Sequence, residues 1–146
     1  MNHMTFNPQT IRRDHPVRPP RLKAGDTIGI AAPSGPFDQP LFEKGMDVLR
    51  DMGFKVHVPE EVFQREGFLA GPDKVRAGVL SALFADPAIQ GIVCARGGYG
   101  ATRVLPHLDW ETIRRNPKVF VGFSDITVLH WTFLERAGLA GVGPQC

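Results

Sequence analysis

Ser124 stands where an apolar, β-branched run meets a helix-like stretch. In Val119-Phe120-Val121-Gly122-Phe123-Ser124-Asp125-Ile126-Thr127 the apolar run stops at Gly122, and the lone Ser follows within two positions. A strand, a sharp turn and a helix N-terminus in that order would lift a serine hydroxyl above free main-chain N–H groups. That arrangement suits nucleophilic attack on a carbonyl carbon. The same residue type also suits a helix N-cap, which needs no chemistry. The segment departs from Gly-x-Ser-x-Gly, because Ile126 stands at the position of the second Gly. Spacing alone leaves both alternatives open. Asp125 would favour the helix dipole or fix the turn. His130 is the nearest candidate base, but it lies six residues further on, more than one helical turn from the hydroxyl. Hydrogen-bond reach, about 2.6–3.2 Å, is not expected there, and His130 is expected as a packed or surface residue.

A second constellation is Arg96-Gly97-Gly98-Tyr99-Gly100. Three glycines in four positions permit positive φ and close backbone approach to a ligand. Their N–H groups could line an oxyanion hole. The stretch lacks the Gly-Lys-Ser/Thr ending of a P-loop and the GxGxxG spacing. A tight turn without function fits the same residues. Pro33-Ser34-Gly35-Pro36 is compatible either with a pocket wall or with a turn carrying a capping Ser. His15, His57, His107 and His130 are scattered without metal-ligand spacing, so neither metal nor cofactor is expected. Cys94 lies in an apolar stretch and reads as a small buried hydrophobe. With Cys146 as the only other cysteine, a structural disulfide is not expected, and a reduced cytoplasmic setting follows.

These residues need a scaffold, and the hydrophobic pattern supplies one. Strands are expected at 27–32, 54–58, 89–95 and 117–123, with a fifth starting at 139–142. Helices are expected at 38–52, 73–84, 101–105, 110–115 and 125–136, and a loop at 59–70. On the second helix the buried face is expected at Val75, Val79, Leu80 and Leu83. Alternating strands and helices predict an α/β fold: a parallel sheet with helices on both faces, flavodoxin-like. Ligands gather at the carboxyl ends of such strands, where the three loops above would lie.

The composition is that of an ordinary globular protein: 146 residues, 42% apolar, 22% charged and a net charge of +2. So small a charge, without a basic stripe interleaved with aromatics, argues against nucleic acid as partner. No apolar run is long enough to span a bilayer. Residues 1–20 are rich in Arg and Pro and lack a signal-peptide h-region, so an extended or disordered lead-in is expected before a single domain at 21–146.

Taken together, several motifs in one order resemble the serine LD-carboxypeptidases, which include murein tetrapeptide carboxypeptidase and the microcin C immunity carboxypeptidase. They are Gly25-Asp26-Thr27-Ile28-Gly29-Ile30, Ala32-Pro33-Ser34-Gly35, Asp86-Pro87-Ala88-Ile89, Arg96-Gly97-Gly98-Tyr99-Gly100, Pro117-Lys118 and Gly122-Phe123-Ser124-Asp125-Ile126-Thr127. The resemblance runs from about Arg21 to Pro144. It implies Ser124 as nucleophile of a Ser-Glu-His triad, with oxyanion donors from the N–H of Asp125 and of Gly97 or Gly98. It places Arg96, Tyr99, Ser34 and Gly35 around the substrate. It implies a muropeptide losing its terminal D-Ala by way of an acyl-enzyme, in the cytoplasm, in a homodimer. The family's Glu and His lie in a C-terminal domain, and nothing in this sequence matches them. The expectation is therefore an N-terminal half, inactive alone, with the C-terminal domain as structural partner. Two alternatives remain: a binding module without catalysis, holding an acidic or nucleotide-like ligand through Arg96, and a microcin-type hydrolase of an aminoacyl nucleotide.

Overall fold

A computed structural model describes residues 16–140. In chain order the elements are β1 (Thr27–Ala31), α1 (Gln39–Asp51), β2 (Lys55–His57), α2 (Asp73–Ala85), β3 (Gly91–Cys94), α3 (Trp110–Arg115), β4 (Val119–Val121) and α4 (Thr127–Ala137). Three 3₁₀ turns, Glu60–Phe63, Ala101–His107 and Ser124–Ile126, fill connections between them.

The four strands form one parallel sheet in the order β2-β1-β3-β4. Ile28 pairs with Val56 on one side and Gly91 on the other, and Ile92 pairs with Phe120. This is the flavodoxin-like order, and right-handed crossovers then fix the faces. The β1-to-β2 connection runs one way and the β2-to-β3 connection runs back past β1, so α1 and α2 lie on opposite faces. Ile28 and Ile30 pack with Phe42 and Met46 of α1. Ala31, Ile92 and Phe120 belong to the larger core on the other face, with residues of α2, α3 and α4. Phe133 of α4 meets Phe120 edge-on at 4.9 Å and Phe84 of α2 at 5.5 Å, between ring centroids. Gly29 lets α2 close on the sheet, since a Cβ there would stand 2.6 Å from Leu83 Cδ2.

Local sequence explains the element ends. Asp38 caps α1 by accepting from Leu41 N at 3.0 Å. Gly138, at φ +65°, closes α4 in the left-handed region. The observed strands are shorter than the pattern predicts, because apolar residues continue past the last ladder hydrogen bonds. The expected helix at 101–105 is a 3₁₀ turn carrying Pro106. The expected loop at 59–70 contains a 3₁₀ turn and a bridge between Glu66 and Leu69. Leu139 makes only an isolated parallel bridge, to Val17, rather than opening a fifth strand of the sheet; residues 141 and 142 of that expectation lie outside the described residues. That bridge also ties down the end of the lead-in, with Val17 N donating to Gly138 O and Ala140 N to Val17 O. Among the described residues no helix is long and apolar enough to cross a membrane.

Candidate active site

Three loops leave the carboxyl ends of β1, β3 and β4 and meet beside the point where the strand order reverses. Ser124 sits on the third. Its φ of +59° makes it the one non-glycine residue with positive φ among those described. A left-handed residue other than Gly costs about 1 kcal/mol and persists only where its surroundings impose it. Phe123 before it is extended, and Ser124 starts the 3₁₀ turn that leads into α4. Its hydroxyl is exposed and makes no capping hydrogen bond among the described residues.

Close packing forces this turn. A Cβ on Gly97 would stand 2.9 Å from Ser124 Cβ and 3.2 Å from its Oγ, so the glycine loop lies directly against the serine. A Cβ on Gly122 would come within 2.4 Å of Ile126 Cγ2. The carboxylate of Asp125 turns away from the serine and holds the other loops: its Oδ2 accepts from Ser34 Oγ at 2.6 Å and from Ala101 N at 2.9 Å.

Pro33-Ser34-Gly35-Pro36 is a hub rather than a plain turn. Pro33 O accepts from Arg76, Ser34 Oγ reaches Asp125, Gly35 N donates to Gly97 O at 3.3 Å, and Pro36 O accepts from Arg96 Nη1 at 2.7 Å. Ser34 is fully buried, so what it contributes to the site passes through Asp125. Arg96 and Tyr99 are exposed, and Tyr99 meets Phe68 edge-on at 5.5 Å. The N–H groups of Gly97, Gly98 and Asp125 donate to no described residue, which leaves them available to an oxyanion. Gly98 reaches its place at φ +122°. A cavity of about 480 Å³ between α1 and the end of β3, lined by Phe37, Leu41, Phe42, Met46, Val93 and Arg96 among others, shares Arg96 with the glycine loop.

His130 is packed, edge-on to Phe120 at 5.2 Å. Its Nε2 lies 2.9 Å from Gly122 O, and a carbonyl only accepts, so Nε2 carries the proton. Nδ1 is buried without a partner among the described residues. The imidazole therefore braces the turn below the serine and does not meet the hydroxyl.

Arg76 is the residue that the sequence pattern missed. It is 2% exposed, on the face of α2 shared with Leu80 and Leu83, whereas the expected Val75 is only half-buried. Burial pulls its guanidinium below the ordinary value and the neighbouring Asp73 opposes that pull. An Arg in register with the apolar stripe was the available signal. Among the described residues no group of three His, Cys, Asp or Glu is placed to hold a metal ion.

The family model described as the LD-carboxypeptidase N-terminal domain matches residues 28–143. This chain belongs to the LD-carboxypeptidase family. A carboxypeptidase of Streptomyces coelicolor, named as putative, is 47% identical over 134 residues, covering 88% of this chain and 43% of its own. A Bacillus subtilis protein named "Probable murein peptide carboxypeptidase" is 35% identical, covering 84% and 38%. Among solved structures, the microcin C7 self-immunity protein MccF superposes with a TM-score of 0.83 at 31% identity, over 86% of this chain and 38% of that one. MccF has also been solved in complex with aspartyl sulfamoyl adenosine. The LD-carboxypeptidase chain described here thus spans about two-fifths of the length of these relatives. Its fold is that of their N-terminal domains, and its family is one of hydrolases named as carboxypeptidases.

Proposed function

We propose that this chain carries the nucleophile and oxyanion loop of a serine carboxypeptidase that removes terminal D-Ala from murein tetrapeptide. The observation that carries this reading is Ser124 itself, held at positive φ above β4 with Gly97 packed against it. Ser124 Oγ attacks the scissile carbonyl, the N–H groups of Asp125 and of Gly97 or Gly98 stabilise the oxyanion, D-Ala leaves, and water hydrolyses the acyl-enzyme. Arg96, Tyr99 and Gly35 face the peptide. In this reading the Glu and His of the triad belong to the additional length that the relatives carry beyond the matched 38%. The enzyme acts in the cytoplasm on recycled wall peptides, as a homodimer.

The test is D-Ala release from murein tetrapeptide by the full natural protein and by residues 1–146 alone. Turnover by the full protein, lost in Ser124→Ala, supports the reading. Turnover by 1–146 alone, lost in the same variant, would show a local base and refute the division of the triad. Light scattering tests the dimer, and a clean monomer of the full protein contradicts it.

A second reading has its own support in the likeness to MccF, the protein solved with an aminoacyl-nucleotide analogue. Here the substrate is an aminoacyl nucleotide. Competition between murein tetrapeptide and an aspartyl nucleotide for the same enzyme separates the two.

A further inference from the structure

We propose that Arg76 is a positioning residue, whose buried guanidinium sets the glycine loop that would meet the oxyanion. This rests on the carboxypeptidase reading of the same site. Arg76 Nε donates to Gly71 O at 2.9 Å, and Nη1 donates both to Pro33 O at 2.5 Å and to Gly100 O at 3.0 Å. Nη2 pairs with Asp73, which also holds Arg103 Nε at 3.0 Å. One nitrogen therefore links the loop after β1 to the loop after β3.

Gly100 is caught from two sides. It stands at φ +106°, and a Cβ there would lie 2.4 Å from Leu69 Cδ2 and 3.4 Å from Arg76 Nη1. Its neighbour Ala101 donates to Asp125, and Gly97 at the other end of the loop packs on Ser124. Arg76 thus fixes the far end of the four-residue stretch whose near end touches the serine. It reaches neither substrate nor Ser124.

A buried charge is costly unless its partners are well placed, and a planar guanidinium satisfies several carbonyls at fixed angles. Lysine keeps the charge but offers one compact ammonium, which does not reproduce bonds to Gly71, Pro33 and Gly100 together. The loop then relaxes, and a displacement on the order of 1 Å at the donors costs rate rather than substrate affinity.

The experiment compares wild type, Arg76→Lys and Asp73→Ala in the full natural protein. It reads D-Ala release from murein tetrapeptide per folded molecule, thermal unfolding, and the amide NMR signals of Gly97, Gly98 and Gly100. Arg76→Lys is expected to lower kcat about 10- to 100-fold. Its KM is expected to stay within about twofold, since an effect confined to the transition state appears in kcat. The three glycine signals move while those of Ile28 and Ile30 stay. A folded Arg76→Lys protein with unchanged kcat overturns the proposal, as does one in which KM alone rises. Where Arg76→Lys does not fold, Asp73→Ala decides: it removes the acceptor of Nη2 and is expected to lower kcat about 3- to 10-fold, and an unchanged kcat again overturns the proposal. If the wild type releases no D-Ala, the carboxypeptidase reading fails by itself. Arg76 is then judged by the glycine signals, whose movement upholds positioning and whose constancy overturns it.

Discussion

Gly97→Ala probes the contact that forces Ser124 into its turn, and needs no catalysis to be read. Gly97 is not among the glycines at positive φ, so alanine suits the backbone and the penalty is purely steric. The new Cβ would meet Ser124 Cβ at 2.9 Å, Ser124 Oγ at 3.2 Å and Phe123 O at 3.3 Å. Carbon atoms settle at about 3.5–4.0 Å, so the two loops must part by roughly 0.6–1 Å. They are pinned by the Gly35–Gly97 hydrogen bond and by both bonds to Asp125. Overpacking of this kind costs about 1–3 kcal/mol. At this chain length that is about 3–9 °C in Tm.

Ser124→Gly removes two of the three contacts and leaves only Phe123 O. In that background Gly97→Ala should cost less than about 1 kcal/mol, for a coupling of about 1–2 kcal/mol between the sites. Calorimetry of the four proteins completes the cycle. An equal drop in Tm in both backgrounds refutes the claim that the glycine loop and the serine impose each other's geometry.

Other consequences follow from the same contacts. Asp125→Ala strands the buried Ser34 hydroxyl and should cost about 1–3 kcal/mol, whereas Asp125→Asn keeps an acceptor and should cost less than half of that in urea unfolding. His130→Phe removes the donor to Gly122 O and should cost about 1 kcal/mol. In the full protein its turnover should stay within about tenfold of wild type, and a loss as deep as that of Ser124→Ala would restore His130 as a base. Burial pushes the Cys94 thiol well above its ordinary value. Its folded-state value is raised, so the neutral form's contribution is complete at neutral pH and fades above about pH 8.5, where the unfolded chain ionises. Stability should fall as pH rises past that point, and Cys94→Ala should lack that part of the decline in urea unfolding at about pH 8 and pH 10. In a Cys146→Ser background, Cys94 should also resist thiol reagents until the protein unfolds.

Much of this architecture is written in local pattern. The apolar runs around Ile28, Ile92 and Phe120 announce buried parallel strands, and Leu41, Phe42, Met46, Val48 and Leu49 announce the amphipathic α1, although Leu41 and Val48 stand exposed and only Phe42 and Met46 are buried. Gly138 marks the end of α4, because left-handed backbone favours glycine. The ordered motifs from Gly25 to Thr127 carry the family. Local pattern fails where distant pairing decides. Whether Leu139 joins the sheet depends on what lies beside β4, and its partner is Val17, far away in sequence. The 101–105 stretch has helical spacing, but Pro106 and the anchored Gly100 tighten it into a 3₁₀ turn.

By itself, then, the sequence determined an α/β chain with a serine and a glycine loop at strand ends, because periodicity and residue type act over a few positions. Only the tertiary structure decided what those residues do to one another. Gly97 lies on Ser124, and Asp125 turns its carboxylate to Ser34 and Ala101. His130 braces Gly122, and a buried arginine from α2 ties two loops together. Each of these is a contact between segments that meet only once the sheet has brought β1, β3 and β4 side by side. No periodicity along the chain encodes such a distance.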